Sequence, residues 1–297
     1  MEDVLVIGGG AGGLNAALIL SRARRRVVVV DSGRPRNAPA EAVHGFISRD
    51  GTPPAVLLAA GRKEVERYGG RIVAGEVLAV RRDDDGFEVE LGDRTVRARR
   101  VIVATGLRDE LPDVPGLRER WARDVLHCPH CHGWEVRDQP LGVLGWQPGA
   151  VLQAMLVRQW SDDVVFFAEV LDDAGRAKLT ARGVRIVDGK VSGLVVEDDA
   201  LRAVRLADGT VVERSALFVP ARFVPNDALL TGLGCERDAN GWVRVDPSGL
   251  TSVPGVWAAG NVMDRGAQVV AAAAAGVRAA LAVNLDLIEE ELLEQVR

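Results

Sequence analysis

Only three cysteines, four histidines and one tyrosine occur in the 297 residues. A disulfide-stapled secreted framework uses more cysteines, normally in even number, and is set aside. No basic excess exists either: 37 Lys and Arg stand against 42 Asp and Glu, a net charge of −5, which argues against binding nucleic acid through bulk charge. Long apolar runs are also scarce. The uncharged stretch from Val4 to Ser21 follows Glu2 and Asp3, where a signal peptide carries basic residues, and five glycines and Asn15 interrupt it. The alanine run Ala271 to Ala275 lies between Arg265 and Arg278, leaving twelve uncharged residues, short of the roughly 20 that span a bilayer. A cytoplasmic protein with no membrane partner is expected. At 47% apolar and 27% charged residues the chain is ordinary globular material, long enough for about two domains.

The N-terminus reads as a buried strand, Val4 to Ile7, then Gly8-Gly9-Gly10-Ala11-Gly12-Gly13, a helix from Leu14 to Arg22, and a second apolar strand, Val27 to Val30, ending on Asp31. This is G-x-G-x-x-G in the context of strand, tight turn and helix, with an acid about twenty residues on. Glycines allow close backbone approach to a pyrophosphate, the helix start offers unpaired N–H groups, and Asp31 can accept from ribose hydroxyls. Further on, Phe87 to Leu91, a Gly92-Asp93 turn, Thr95 to Arg99 and Val101 to Ala104 make a hairpin feeding a core strand that ends at Thr105-Gly106. The same grammar recurs in Leu201 to Leu206, Asp208-Gly209, Thr210 to Val212 and Ala216 to Val219. A faint copy of the first strand-turn-helix begins at Leu141. The fold class expected is α/β, with two Rossmann-like nucleotide-binding domains in series. Turn-rich stretches at Leu111 to Gly116 and Arg237 to Gly241 are the candidate crossings between them.

Near the C-terminus, Thr251 to Val262 (TSVPGVWAAGNV) is a turn, a buried strand and a glycine, followed by a small-residue helix from Gln268. This segment resembles the second flavin-binding segment of the pyridine nucleotide-disulfide oxidoreductase superfamily, with Asn261 where an Asp is usual. Together with Cys128-Pro129-His130-Cys131 and Ala104-Thr105-Gly106, the layout resembles low-molecular-weight thioredoxin reductases over nearly the whole chain. The resemblance implies an FAD domain made of residues 1–110 and 242–297, and a central NADPH-domain-like module, 111–241, carrying the cysteines. It implies that Gly8, Gly10, Ala11, Gly13 and Asp31 serve the ADP half of FAD. Thr105, Gly106, Gly260, Asn261, Gln268 and Val269 would line its flavin side. His44, a core or loop histidine on its own evidence, would lie near the flavin. A homodimer is implied as well.

Two departures narrow the resemblance. A second phosphate-binding loop is missing: Gly145-Trp146-Gln147-Pro148-Gly149 has the wrong spacing, and Pro148 lacks an N–H. After the next strand, Glu169, Asp172 and Asp173 stand where a 2′-phosphate needs cations, and a carboxylate at contact repels it by about 1 kcal/mol or more. Productive NADPH binding is not expected. Second, histidines flank the cysteine pair, as His127-Cys128-Pro129-His130-Cys131-His132-Gly133, where thioredoxin reductases place an Asp after the second cysteine. This pattern resembles the thioredoxin reductase-like dithiol oxidases that close disulfides in gliotoxin, holomycin and related metabolites.

That resemblance implies FAD as cofactor, a small-molecule dithiol and O2 as partners, Cys131 against the flavin and Cys128 exchanging with substrate. The chemistry agrees. A thiol is mostly protonated at neutral pH, thiolate is the nucleophile, and histidine titrates in the range needed to take and return that proton. Either His127 or His132 could do so. Other readings of the motif are weaker. C-x-x-C-H also marks covalent haem attachment, but haem would leave both flavin segments unexplained. Zinc ligands are normally split into pairs by a loop, and no metal is expected. A merely structural pair is the remaining alternative. Cys235 reads as a small buried hydrophobe, and Trp134 and Trp146 as either core or cleft walls.

Overall fold

A computed structural model describes residues 1–92 and 94–296; Asp93 of the expected turn lies outside the described residues. Two compact units emerge. The first comprises Met1–Ala38, Thr52–Arg108 and Phe223–Arg297, the second Pro39–Gly51 and Asp109–Arg222. Relative to the boundary expected at 241, the stretch 223–241 packs with the first unit. The reason is apolar burial, since Leu230 and Cys235 sit in one core cluster with Leu5, Val28 and Phe87.

In the first unit Glu2–Ile7 is the middle of a parallel sheet, flanked by Val27–Asp31 and Thr95–Val103, with Arg71–Ala74 outside Val27–Asp31. The valine-rich strands Val4–Ile7 and Val27–Val30 are buried on both faces, as parallel strands require. Thr95–Val103 serves twice. Its first half pairs antiparallel with Gly86–Leu91, which pairs with Val77–Asp83, and its second half pairs parallel with both Glu2–Ile7 and Val256–Ala258. One long strand thereby joins the meander to the nucleotide fold.

The first helix, Ala11–Arg22, packs against the C-terminal helix, Val269–Val296. The approach is set by glycine: a Cβ on Gly276 would lie 1.9 Å from the Gly12 carbonyl oxygen. The far end of that 28-residue helix is tied down by charge, with Arg100 on Asp286, Arg99 on Glu290 and Glu291, and Arg25 on Glu291, at 2.5–2.8 Å. By length and composition this helix could cross a membrane, yet its Ala272, Ala279, Val283 and Leu287 face is buried in the first unit's core.

The second unit repeats the plan. Its parallel sheet runs Arg185–Asp188, Val164–Ala168, Leu141–Gly145, Ala216–Phe218 and Val125–Leu126, beside an antiparallel sheet of Val191–Glu197, Ala200–Leu206 and Val211–Glu213. Ala150–Val157 follows Leu141–Gly145 as Ala11–Arg22 follows Glu2–Ile7. The chain is thus a mixed α/β protein of two Rossmann-like halves, both discontinuous in sequence.

Gly276→Val should destabilise by about 2 kcal/mol or more in urea unfolding, because two helix backbones must separate. Gly149→Ala, whose Cβ meets nothing within 4 Å, should stay within about 0.5 kcal/mol of the parent. Equal effects would mean that the glycine contact does not set the helix packing.

Candidate active site

The glycine loop of the first unit divides by function. Gly8 has φ +106°, and a Cβ there would lie 2.4 Å from the Ala104 carbonyl oxygen. A Cβ on Gly13 would lie 1.8 Å from the Gly8 oxygen. These two glycines pack helix on strand. Gly10, the N-cap of the first helix, would point its Cβ into space with nothing within 4 Å, and Ala11 opens the helix. The loop therefore presents bare backbone and a helix N-terminus, the requirement for a pyrophosphate.

Asp31 closes the second strand, its carboxylate 2.8 Å from the Arg62 guanidinium. Burial pushes this carboxyl up, but Arg62 and the N–H groups of Gly33 and Gly9 outweigh it and hold the group below the usual carboxylate range. An ionised carboxylate at this strand end is the kind of acceptor that a ribose hydroxyl requires.

Elsewhere in this unit Thr105 and Asn226 hydrogen-bond reciprocally. The Thr105 hydroxyl donates to the Asn226 carbonyl at 2.7 Å, and the Asn226 amide donates to the Thr105 carbonyl at 2.9 Å. Gly106 and Gly260 both hold positive φ. Asn261 donates its amide to the carbonyls of Asp264 and Ala267, both at 2.9 Å, which leaves its side-chain oxygen for a ribityl hydroxyl. Gln268 and Val269 begin the C-terminal helix. An open glycine loop, an ionised acceptor and an oriented amide oxygen fit FAD.

In the second unit Cys128 and Cys131 are joined as a disulfide, Cα–Cα 5.2 Å. Pro129–His132 is one helical turn, in which the amides of Cys131 and His132 both donate to the Cys128 carbonyl at 3.1 Å. Pro129 heads the turn, where no N–H is needed. A side chain on Gly133 would clash with the Pro129 carbonyl at 2.6 Å and the Trp160 ring at 2.7 Å. Among the described residues no cluster of His, Cys, Asp or Glu is set to hold a metal.

The histidines separate into different roles. His130 packs edge-on to Trp160, centroids 5.5 Å apart. His127 is held by backbone: its Nδ1 lies 3.1 Å from the Val219 carbonyl and 3.2 Å from the Ala221 amide, and can serve only one of them at a time. The His127 carbonyl accepts from Gln153 at 2.5 Å. His132 is partly buried, and among the described residues its ring nitrogens have no hydrogen-bond partner. Burial pushes its pKa below the ordinary histidine value, Glu135 pulls it back, and His44 and His127 push it further down. At neutral pH it is a neutral imidazole with an available lone pair. His44 lies in this second unit, between Asp50 and Glu135.

Trp134 is 65% exposed, with the Arg137 guanidinium 4.0 Å over its ring. A cavity of about 370 Å³ in this unit is walled by Trp121, Leu111 and Pro39 and rimmed by Arg118, Arg123, Asp109 and Glu119; the Trp121 ring centroid is 6.5 Å from that of His127.

The second nucleotide loop is closed. Trp146 Nε1 and Gln147 Nε2 both donate to the Pro220 carbonyl, at 2.9 and 2.5 Å. The Val170 amide is bound to the Gly145 carbonyl at 2.7 Å. Glu169 accepts from the Val191 amide at 2.9 Å, and Asp172 caps the helix Asp173–Ala181 through the Gly175 amide at 2.7 Å. The acids after the strand are structural as well as repulsive to phosphate.

Comparison with known proteins agrees with this geometry. The model of the pyridine nucleotide-disulphide oxidoreductase family matches residues 2–276. The chain belongs to that family. It is 34% identical to thioredoxin reductase tcpT of Claviceps purpurea, over 87% of this chain and 86% of the relative. The crystal structure of HlmI superposes with TM-score 0.97 at 59% identity, covering 100% of this chain and 95% of that one. A putative thioredoxin reductase, TrxB, from Bacillus anthracis gives TM-score 0.93 at 32% identity, covering 98% and 100%. As a member of the pyridine nucleotide-disulphide oxidoreductase family, the protein is an FAD-binding oxidoreductase of thioredoxin reductase-like fold.

Sequence reasoning missed Arg62, Asn226, Asp50 and the Pro220 carbonyl, each of which meets its partner only through the fold. Glu135 stood beside the motif, but nothing in the spacing marks it as the partner of His44.

Gly10→Val should leave folding unchanged within about 0.5 kcal/mol, since its side chain enters open space, yet the protein should purify without bound flavin. A yellow Gly10→Val protein would contradict the cradle.

Proposed function

We propose that the protein is an FAD-dependent dithiol oxidase closing an intramolecular disulfide in a small-molecule dithiol of natural-product type. The observation that carries this reading is the closed Trp146–Gln147 loop in the unit that holds the disulfide. Electrons then enter from the thiol side. The His-Cys-x-x-Cys-His-Gly pattern supports the same branch of the family.

In the reaction, His132 takes the proton of one substrate thiol, and the thiolate attacks Cys128 Sγ, breaking the Cys128–Cys131 bond and releasing Cys131 as thiolate. The second substrate thiol, deprotonated in turn, attacks the substrate sulfur of the mixed disulfide, closes the ring and releases Cys128. One dithiol and one enzyme disulfide thus become one substrate disulfide and two enzyme cysteines, both protons retained. His127, held by the Val219–Ala221 backbone, fixes the segment entering Cys128. FAD, when bound, supplies two-electron acceptance from the reduced pair and reaction with O2 to give H2O2.

Relatives named thioredoxin reductases favour a second reading, a protein disulfide reductase. It requires NADPH at the closed loop or another donor such as reduced ferredoxin. The cytoplasm is the compartment proposed for either activity.

The protein should consume O2 and form peroxide with dithiothreitol in steady state. Cys128→Ser and Cys131→Ser should each abolish this with FAD still bound. Turnover surviving in both variants would rule out the dithiol mechanism.

A homodimer is proposed through the C-terminal helix, whose outer face carries Leu281, Leu285, Ile288, Leu292 and Val296 at spacings of four, three, four and four, with Leu285 57% and Leu292 54% exposed. Leu285→Glu with Leu292→Glu should halve the mass in light scattering at micromolar concentration. A monomeric parent would contradict it.

A further inference from the structure

The roles assigned so far leave His44 unused, although both its ring nitrogens face carboxylates. Its Nε2 lies 3.4 Å from Glu135 Oε1, and its Nδ1 lies 3.4 and 3.5 Å from the two carboxylate oxygens of Asp50. Asp50 is itself fixed, because its Oδ1 accepts from the Gly45 amide at 2.9 Å. The Gly51 amide also donates to the Val43 carbonyl at 2.9 Å, so the loop bearing His44 is closed on itself. A neutral imidazole has one N–H to donate, so His44 bonds one carboxylate at a time, whereas the doubly protonated ring serves both.

Glu135 stands three residues beyond His132. The groups that act on His132 are Glu135, His44 and His127, with the cysteines of its own turn; those that face His44 are Asp50, Glu135 and His132. Of these only Glu135 favours the His132 imidazolium, and its pull outweighs the push of either neighbouring imidazole. His44 therefore has two opposed effects on His132. Its own charge disfavours protonation, while its hold on Glu135 favours it.

We propose that His44 is a positioning residue for the thiol-oxidation step: it holds the Glu135 carboxylate where that charge stabilises the imidazolium formed as His132 accepts the substrate proton, with Asp50 fixing the His44 ring from the other side. The proposal rests on His132 being the base, as assigned above. The proton moves from substrate sulfur to His132 and on to the departing cysteine thiolate.

The test is a double-mutant cycle read by NMR titration of the His132 ring and by the pH profile of anaerobic single-turnover reduction of the holoenzyme with dithiothreitol. His44→Ala should lower the His132 midpoint by about half a unit, move the acid limb to lower pH, and slow the plateau about twofold, as expected for a weaker base. Glu135→Gln should do the same or more, and the double variant should fall no lower than Glu135→Gln alone, since only the histidine's own charge is then removed. His44→Gln, whose amide can still donate to Glu135, should restore the midpoint to the parental value or slightly above and controls for damage to the loop.

A raised midpoint in His44→Ala would overturn the proposal, because the histidine's own charge would then be its main effect. An additive double variant would overturn it as well. His132→Gln separates this from the parent assignment. If the acid limb survives that change, His132 is not the base; if the limb disappears there but ignores His44→Ala, only the positioning role fails.

Discussion

Three consecutive residues, Val219, Pro220 and Ala221, hold together the chemistry of the second unit. The Val219 amide is tied to the Leu126 carbonyl at 2.7 Å, extending the pairing of Ala216–Phe218 with Val125–Leu126. That register delivers the Val219 carbonyl and the Ala221 amide to His127, the residue before the disulfide. It also delivers the Pro220 carbonyl, which proline's fixed φ aims and whose ring nitrogen competes for no bond, to Trp146 and Gln147. One strand end thus orders the segment entering the cysteine pair and ties down the second unit's loop. A carbonyl oxygen with both lone pairs engaged by part-buried donors is not readily given up for a weak ligand, because each released donor loses its partner.

The contrast with the first unit locates the difference in function. Both units start from the same strand-turn-helix, but the turns carry different residues. Gly10 opens into space, while Gly8 and Gly13 are committed to packing. In the second unit the corresponding loop carries an indole and a carboxamide folded inward. On the reading proposed above, this loop does not take the family's electron donor, and the flavin's two-electron chemistry is left to the thiol side.

The features legible in the sequence were those whose constraint is local. Glycines Gly8, Gly10 and Gly13 in register with two valine-rich strands and Asp31 marked the flavin cradle because each spacing is dictated within one strand-turn-helix. The cysteine pair and its histidines were legible for the same reason. Side chains that meet across the fold were not. Arg62 on Asp31, Asn226 on Thr105 and Glu135 on His44 join residues far apart in the sequence, whose proximity only the tertiary fold provides. The stretch 223–241 joins the first unit through Leu230 and Cys235; Cys235 reads as buried from its residue type, but which core it enters is decided by tertiary packing. The outer stripe of the C-terminal helix was hidden because that helix is apolar on both faces, one of them consumed by Ala272, Ala279 and Val283. His132 was one of two candidates by chemistry. What separates them is tertiary, since backbone groups hold the His127 ring while the His132 ring has no hydrogen bond among the described residues.

The central claim is that electrons reach the flavin from a dithiol and not from a nicotinamide. The most direct measurement is to follow the flavin absorbance of the purified holoenzyme without oxygen, adding NADPH to one sample and dithiothreitol to another. The account predicts bleaching by dithiothreitol, recovery of the yellow band on admitting air, and no bleaching by NADPH over the same period. Rapid bleaching by NADPH would contradict it, since the closed loop would then be opening to a nucleotide and the enzyme would be working as a reductase.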